Sequence, residues 1–411
     1  MIAMLAIILW LVALGWLVSL ALTLHGLSRQ KPLLPHTDLR LTATDAPLVS
    51  ILVPARNEEH RVLANCIRSI LAQDYGRFEV LAVNDRSTDA TGSILETLAK
   101  SDERLRVIDG QEPPAGWLGK PYAMQQALPH ANGEWILATD ADMIFDSQTL
   151  RTAVYRTLEA KGDAMTIIPH FEASSFWERV MIPTWSWVFL MFTLFYRPTN
   201  PKTQGAVGIG GFFLMRRTVL ESVGGYEGLK DEVMEDVRLA ERLKGSGARL
   251  LIEHAPTLVS TRMYSNFREM WECSTKNWFS GVKFSLPFAL SCVLSMYLMS
   301  VAPPLIALLC VIGIVAGVES ELWLLLIPVL LSWFLQILVL ALVSIRSKVS
   351  PAFALTSPLG LSLCYAMLFD SSMRITTGKG VTWKGRRIYQ SKGVRPPRFG
   401  ATATHTSNME K

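Results

Sequence analysis

The stretch Trp135-Ile136-Leu137-Ala138-Thr139-Asp140-Ala141-Asp142 is an apolar run that ends in two aspartates one residue apart. Such a run reads as a buried strand, and a strand that leads into Asp-Ala-Asp sets two carboxylates at the carboxyl edge of a sheet. Alternation aims neighbouring side chains at opposite faces, but the break at the strand's end lets both carboxylates reach one ligand. Hard oxygen donors in that place suit a divalent cation that also holds phosphate oxygens. The pattern is short, and taken alone it describes a solvated strand terminus equally well. Its neighbours decide.

Upstream, Val49-Ser50-Ile51-Leu52-Val53-Pro54 is a β-rich run that the proline stops, and Glu58 to Ala72 has helical spacing of Val62, Ile67, Ile70 and Leu71. Phe78 to Val83 is the next strand and ends in Asn84-Asp85; a helix follows from Thr88–Thr91 through Leu98, then a strand at Leu105–Ile108 and a helix over about Tyr122 to Ala131. The strand into Asp140 is the fourth. Strands alternating with helices predict an α/β fold with a mostly parallel sheet and active groups beyond the strands' carboxyl ends. There is no internal repeat.

Of 411 residues, 50% are hydrophobic and only 18% charged, and the apolar ones concentrate at the two ends. Residues 2–24 carry no charge and are about long enough to cross a bilayer. They lack the basic n-region and small-residue cleavage site of a signal peptide, so they read as an uncleaved anchor. The formal charge of +5 comes from clusters beside apolar segments: Arg29 and Lys31, Arg346 and Lys348, and a tail from Arg374 to Arg398 that contains no acid. Such clusters mark the cytoplasmic face and favour anionic headgroups, so a membrane explains the charge and nucleic acid is not called for. The five cysteines show neither metal nor disulfide spacing. Phe176 to Phe195 and Arg262 to Phe279 mix aromatic and charged residues and read as interfacial segments. Three apolar segments follow, near 286–318, 322–345 and 351–369. Three further crossings would carry the basic tail to the outer side, against the positive-inside rule. Either the last segment, with Pro351 and Pro358, is re-entrant or interfacial, or 286–318 folds into a hairpin at Pro303-Pro304. The expected division is an anchor over 1–27, a linker over 28–46, a catalytic domain over 47–260 with 176–195 interfacial, an interfacial helix over 261–284, membrane segments over 285–373 and a basic cytoplasmic tail over 374–411.

Four motifs stand in order: Ser50-Ile51-Leu52-Val53-Pro54-Ala55-Arg56-Asn57-Glu58-Glu59, Val83-Asn84-Asp85-Arg86-Ser87-Thr88-Asp89, Asp140-Ala141-Asp142 and Glu235-Asp236-Val237-Arg238-Leu239-Ala240. The series resembles glycosyltransferase family 2, the inverting enzymes of GT-A fold that use nucleotide-diphospho-sugars, over about residues 48–280. Gly116-Trp117-Leu118-Gly119-Lys120-Pro121 and Trp383-Lys384-Gly385-Arg386 look like its membrane-bound branch, which includes hopanoid-associated, carotenoid and ceramide glycosyltransferases. The resemblance implies that Pro54, Ala55, Asn57 and Glu58 line the nucleotide, that Asp85 accepts from a uracil N–H or ribose hydroxyl, and that Lys120 sets a cation against the diphosphate. Asp89 is the better cap for the helix that follows Asp85. Asp140 and Asp142 would hold Mg²⁺ or Mn²⁺, with Asp142 the more direct ligand. Asp236 is the expected general base, although an acidic pair in the first turn of a helix is favourable on electrostatic grounds alone. Gly210, Gly211, Glu235 and Trp278 fall on the acceptor side.

Chain-building relatives carry Gln-x-x-Arg-Trp, whereas the matching stretch here is Ser274-Thr275-Lys276-Asn277-Trp278, so a single transfer is expected. The reading is a membrane-bound, metal-assisted, inverting transferase that moves one sugar from a nucleotide donor such as a UDP-hexose to a lipid acceptor, of hopanoid, carotenoid, other isoprenoid or sphingolipid kind. Its expected site is the cytoplasmic face of a bacterial inner membrane. Polyprenyl-phosphate sugar synthesis, with Arg262, Arg268 and Lys276 around the phosphate, and a non-catalytic scaffold are the rival readings.

Overall fold

The computed structural model describes residues 2–35, 46–196, 198, 203, 205–317, 320–383 and 386–388; residues 36–45 of the expected linker, 389–411 of the expected tail and Lys384-Gly385 of the tail motif lie outside them. In chain order the elements are α1 (Ile2–Arg29), β1 (Val49–Ala55), α2 (Leu63–Leu71), β2 (Phe78–Asn84), α3 (Thr91–Ala99), β3 (Leu105–Asp109), α4 (Gly119–Ala127), β4 (Trp135–Ala138), β5 (Met143–Phe145), α5 (Thr149–Glu159), β6 (Ala164–Ile168) and β7 (His170–Phe171). There follow α6 (Phe176–Tyr196), β8 (Phe213–Arg216), α7 (Arg217–Ser222), α8 (Glu235–Gly245), β9 (Leu250–His254), β10 (Val259–Thr261) and α9 (Phe267–Gly281). The apolar end holds α10 (Leu286–Ser300), α11 (Ala302–Val315), α12 (Trp323–Arg346) and α13 (Ser357–Thr376), and then β11 (Val381–Trp383) and β12 (Arg386–Ile388).

Seven strands form one sheet in the order β3-β2-β1-β4-β8-β6-β9. β3, β2, β1 and β4 run parallel, and β8 is antiparallel to both its neighbours. The expected α/β architecture, a mostly parallel sheet flanked by helices, is therefore the observed one. Period-two alternation sorts the core: Ile51, Val53, Val80 and Leu137 pack beneath α2, α3 and α5, while Leu52, Leu81, Val83 and Ile136 pack beneath α4 and α8. β1 does not stop at Val53 but continues through Pro54 to Ala55. Leu52 is the last β1 residue paired with β4, so the N–H that Pro54 lacks would have pointed past the end of that neighbour. α2 begins later than its apolar spacing indicates, because Glu58 to Val62 form turns whose polar groups are used at the sheet edge. A small second sheet, β5-β10-β7, continues from the Asp-x-Asp loop.

Four segments are long and apolar enough to cross a membrane by length and composition: Ile2–Arg29, Leu286–Val315, Trp323–Arg346 and Pro351–Thr376. The 286–318 stretch breaks at Val301, just before Pro303-Pro304. α1 and α12 lie side by side and both run toward the sheet domain. Trp16 of α1 stacks on Trp187 of α6 at 5.4 Å, and its indole donates to the Met299 carbonyl at 2.8 Å. Where α12 ends, Arg346 donates to His254 Nδ1 at 2.8 Å and to the Gln30 carbonyl at 3.1 Å. Burial and the neighbouring Arg346 lower the His254 imidazole to about 4, which leaves it neutral and able to accept. After α13, Val381 is buried against Phe279 of α9. Both ends of the 346–381 segment thus lie beside elements that touch the sheet domain. α13 packs along α9, where Trp271 donates to Asp370 at 2.8 Å, and along α10, while Gly360 sits against Val180 and Thr184 of α6.

Candidate functional site

The carboxyl edge of the sheet gathers the charged residues. β4 ends at Ala138, and Thr139 anchors the next turn by donating from Oγ1 to the Gly211 carbonyl at 2.8 Å. Beyond it, Asp140 turns toward α4 and Asp142 toward α2. Lys120, in the first turn of α4, places its ammonium 2.6 Å from Asp140 Oδ1 and 2.6 Å from Glu235 Oε1. Asp236 opens α8, and its Oδ2 accepts the Gly210 N–H at 2.8 Å. A Cβ on Gly210 would fall 2.9 Å from Lys120 Nζ, 3.3 Å from Asp140 Oδ2 and 3.4 Å from Asp236 Oδ2. One backbone position therefore touches all three groups, and the Asp140 and Asp236 carboxylates lie well under a nanometre apart. A side chain there would press on the Lys120 ammonium and on both carboxylates.

Burial, then the adjacent charge of Glu235, pushes the Asp236 carboxyl up to about 6, against the pull of Lys120 and of the Val237 N–H. Burial disfavours the Lys120 ammonium, yet Asp140, Glu235 and Asp236 together hold its pKa well above the usual lysine value. Tyr226, buried in the wall of the same crevice, has a hydroxyl with no hydrogen-bond partner among the described residues.

Asp142 has a different neighbour. Arg61 Nη1 lies 3.0 Å from Asp142 Oδ2, and the same guanidinium reaches Glu58, Glu269 of α9 and, at 2.9 Å, the carbonyl of Met263. Arg61 and Glu269 went unnoticed in sequence; the one available signal was the three-residue spacing of Glu58 and Arg61, which is common. Asp85 sits apart from this pair at the end of β2. Its carboxylate is buried, 3.4 Å from Arg86 Nε and 4.0 Å from Arg56 Nη1. Asn57 and Arg86, both at φ 52°, flank it in the left-handed region, where a non-glycine residue is strained. Asn57 Oδ1 accepts from the Thr88 N–H at 2.9 Å, and the Glu58 N–H donates to Thr91 Oγ1 at 2.7 Å, which pins the Pro54–Glu58 loop to the Asp85 loop. Asp89 Oδ1 accepts from the Thr91 N–H at 3.0 Å from one residue ahead of the helix cap, Ala90, whose side chain makes no capping bond.

The structure thus brings together Lys120, Asp140, Gly210, Glu235 and Asp236, with Asp142 on the far side of the same loop and Gly211 packed on Met143. The Trp278 side chain is half-buried on α9, packed against both the cluster around Phe279 and Leu368 and the aromatic cluster that α6 and α9 share.

As to a cation, the described residues hold no cluster of three acidic, His or Cys ligands. Asp140, beside Lys120, and Asp142, beside Arg61, are nonetheless hard carboxylates at a sheet edge, and such donors fit an ion whose shell a diphosphate completes, since Mg²⁺ is commonly held by one or two carboxylates plus substrate phosphates.

Residues 50–224 match the family model described as glycosyl transferase family 2. A beta-monoglucosyldiacylglycerol synthase of Nostoc sp. is 30% identical over 202 residues, 48% of this chain and 41% of that protein. A 4,4'-diaponeurosporenoate glycosyltransferase of Staphylococcus aureus is 23% identical over 247 residues, 58% of this chain and 63% of its own. The chain spans about half the length of the curated relatives it matches. Among solved structures, a mannosyltransferase of Pyrobaculum calidifontis in complex with GDP-Man and Mn²⁺ shares the fold with a TM-score of 0.52 at 19% identity, covering 91% of this chain and 98% of its own. That likeness extends past the sheet domain into the apolar helices.

A Cβ on Gly208 would lie 2.0 Å from the Asp236 carbonyl oxygen, so the start of α8 must move to admit it. Gly208→Ala is expected to cost about 3 kcal/mol, read from denaturant unfolding of the solubilised protein.

Proposed function

We propose that the chain, whose residues 50–224 are a family 2 glycosyltransferase domain, transfers one sugar from a nucleotide-diphospho donor to a membrane lipid, with inversion at the anomeric carbon. The observation that carries this is the meeting of Asp140, Lys120, Glu235 and Asp236 around Gly210 at the carboxyl edge of the sheet. Asp140 and Asp142 would hold a Mg²⁺ or Mn²⁺ ion, which when bound would neutralise charge on the leaving diphosphate. Lys120 adds a cation to the same phosphates. Asp85 and the Pro54–Glu58 loop hold the nucleoside, with a uracil the base that best suits an acceptor carboxylate. Asp236, poised near neutrality at about 6, takes the proton of the acceptor hydroxyl as that oxygen attacks opposite the diphosphate. One displacement of this kind inverts the centre and needs no enzyme nucleophile. Glu235 keeps Lys120 in place and sustains the raised basicity of Asp236.

A lipid acceptor is supported by the names of the Nostoc and Staphylococcus relatives, and by the aromatic layer of α6 and α9 beside the site. Of the cations a phosphorylated acceptor would call on, Arg262 is paired with the buried Glu178 at 2.9 Å, whereas Arg268 makes only an exposed pair with Glu272 at 3.2 Å. We place the sheet domain on the cytoplasmic face of a bacterial inner membrane, beside Arg29 and Lys31. α1, α10–α11 and α12 cross, and the 351–376 segment enters and leaves by one face. The support is that Arg346 before it and Val381 after it both lie on the sheet-domain side. The basic tail then stays inside, and the charge conflict disappears.

Purified protein in liposomes is expected to glycosylate diacylglycerol or a carotenoid acid from UDP-hexose, with activity lost in EDTA and restored by Mn²⁺; no metal-dependent lipid product from any nucleotide sugar would sink the proposal. Asp236→Asn is expected to keep nucleotide affinity and to lose about 10²–10⁴-fold in transfer. For the native protein, kcat/KM should fall below pH about 6, where Asp236 is protonated. With the native cysteines replaced, Lys379→Cys should react with an impermeant maleimide in inverted vesicles and not in spheroplasts.

A further inference from the structure

The acidic edge of the sheet is neutralised by the protein's own cations. Lys120 Nζ lies 2.6 Å from Asp140 Oδ1 and 2.6 Å from Glu235 Oε1, in the space beside Gly210 that the Asp236 carboxylate also faces. Arg61 stands 3.0 Å from Asp142 Oδ2 on the other side of the loop. Each carboxylate of the Asp-x-Asp pair therefore has a protein cation at hydrogen-bond distance. Building on the function proposed above, we propose that Lys120 is an internal counter-ion that holds the place of the divalent cation, and that the ion enters only as the nucleoside diphosphate draws the lysine away.

A carboxylate already paired in this way has little field left for a second cation, and an ion arriving alone would stand against the ammonium at close range. A diphosphate changes the balance. It offers anionic oxygens to an ammonium on a flexible four-carbon stem with three rotatable donors. Once Lys120 turns to those oxygens, Asp140 is released to the ion, and Glu235 remains to hold the lysine's new position. Arg61 has less freedom, because Glu269 and the Met263 carbonyl fix its fork. Displacement therefore falls to Lys120. Coupling of this kind is reciprocal, so the ion strengthens diphosphate binding by the same factor. Any site in which ion and phosphate touch shows that much. What marks the counter-ion is the behaviour of the ion alone when the lysine charge is removed.

Full-length wild type, Lys120→Met and Lys120→Gln, in detergent, are titrated with Mn²⁺ alone and again with UDP, and the free ion is read by EPR. Without UDP, both variants are expected to bind Mn²⁺ at least about tenfold more tightly than wild type, which corresponds to one full decade in the binding constant. The gain in Mn²⁺ affinity on adding UDP should be smaller in the variants than in wild type. Unchanged or weaker Mn²⁺ binding without UDP in both variants overturns the counter-ion role, and it leaves the proposed sugar transfer standing if wild type still glycosylates lipid. No Mn²⁺ binding in any of the three proteins, with or without UDP, overturns this inference together with the metal-assisted reading.

Discussion

Three carboxylates, Asp140, Glu235 and Asp236, can share one crevice at the sheet edge because an ammonium stands among them. Left unpaired, charges of one sign at this separation would either take up protons or push the loops apart. Lys120 arrives from α4, Asp140 from the end of β4, and the acidic pair from the start of α8, so three separate crossovers must close before the cation is enclosed. The arrangement couples separate crossovers of the sheet domain, and it explains why the loop before β8 carries glycines where backbone and side chains meet too closely for a Cβ.

A second charged hub ties this edge to the apolar helices. Arg61 reaches Asp142 on one side and Glu269 and Met263 on the other, so α9 is fastened to the sheet domain at the loop that carries the Asp-x-Asp pair. Arg346 and the neutral His254 make a comparable fastening at the end of α12. The helices are therefore attached at fixed points around the site rather than suspended from a linker.

Much of this was legible in the chain itself. Apolar runs ending in Asn84-Asp85 and Asp140-Ala141-Asp142 announced parallel strands with acids at their carboxyl ends, because side-chain periodicity and strand termination are local properties. Helix starts were less legible. Glu58 to Val62 carry helical spacing but are recruited into turns by partners far away in sequence, such as Thr91 and Asp142. Arg61 was illegible for the same reason, since a single arginine acquires its meaning only from what the fold sets around it. Arg86 stands at φ 52°, in the left-handed region that glycine favours, a backbone state its place in the sequence did not announce.

α1 reads in sequence as a simple anchor, yet Trp16 is 1% exposed, stacked on Trp187 and bonded to the Met299 carbonyl, with Ser19 accepting from the Trp187 indole at 3.2 Å. A leash can be cut without harm to what it tethers; a wedge cannot. Trimming the amino-terminal helix to obtain a soluble fragment would strip the covering from α6 and leave its large aromatics to collapse or self-associate. The amino-terminal helix is thus a structural member of the layer it forms with α6, α10 and α12, and its sequence is constrained by packing as well as by greasiness.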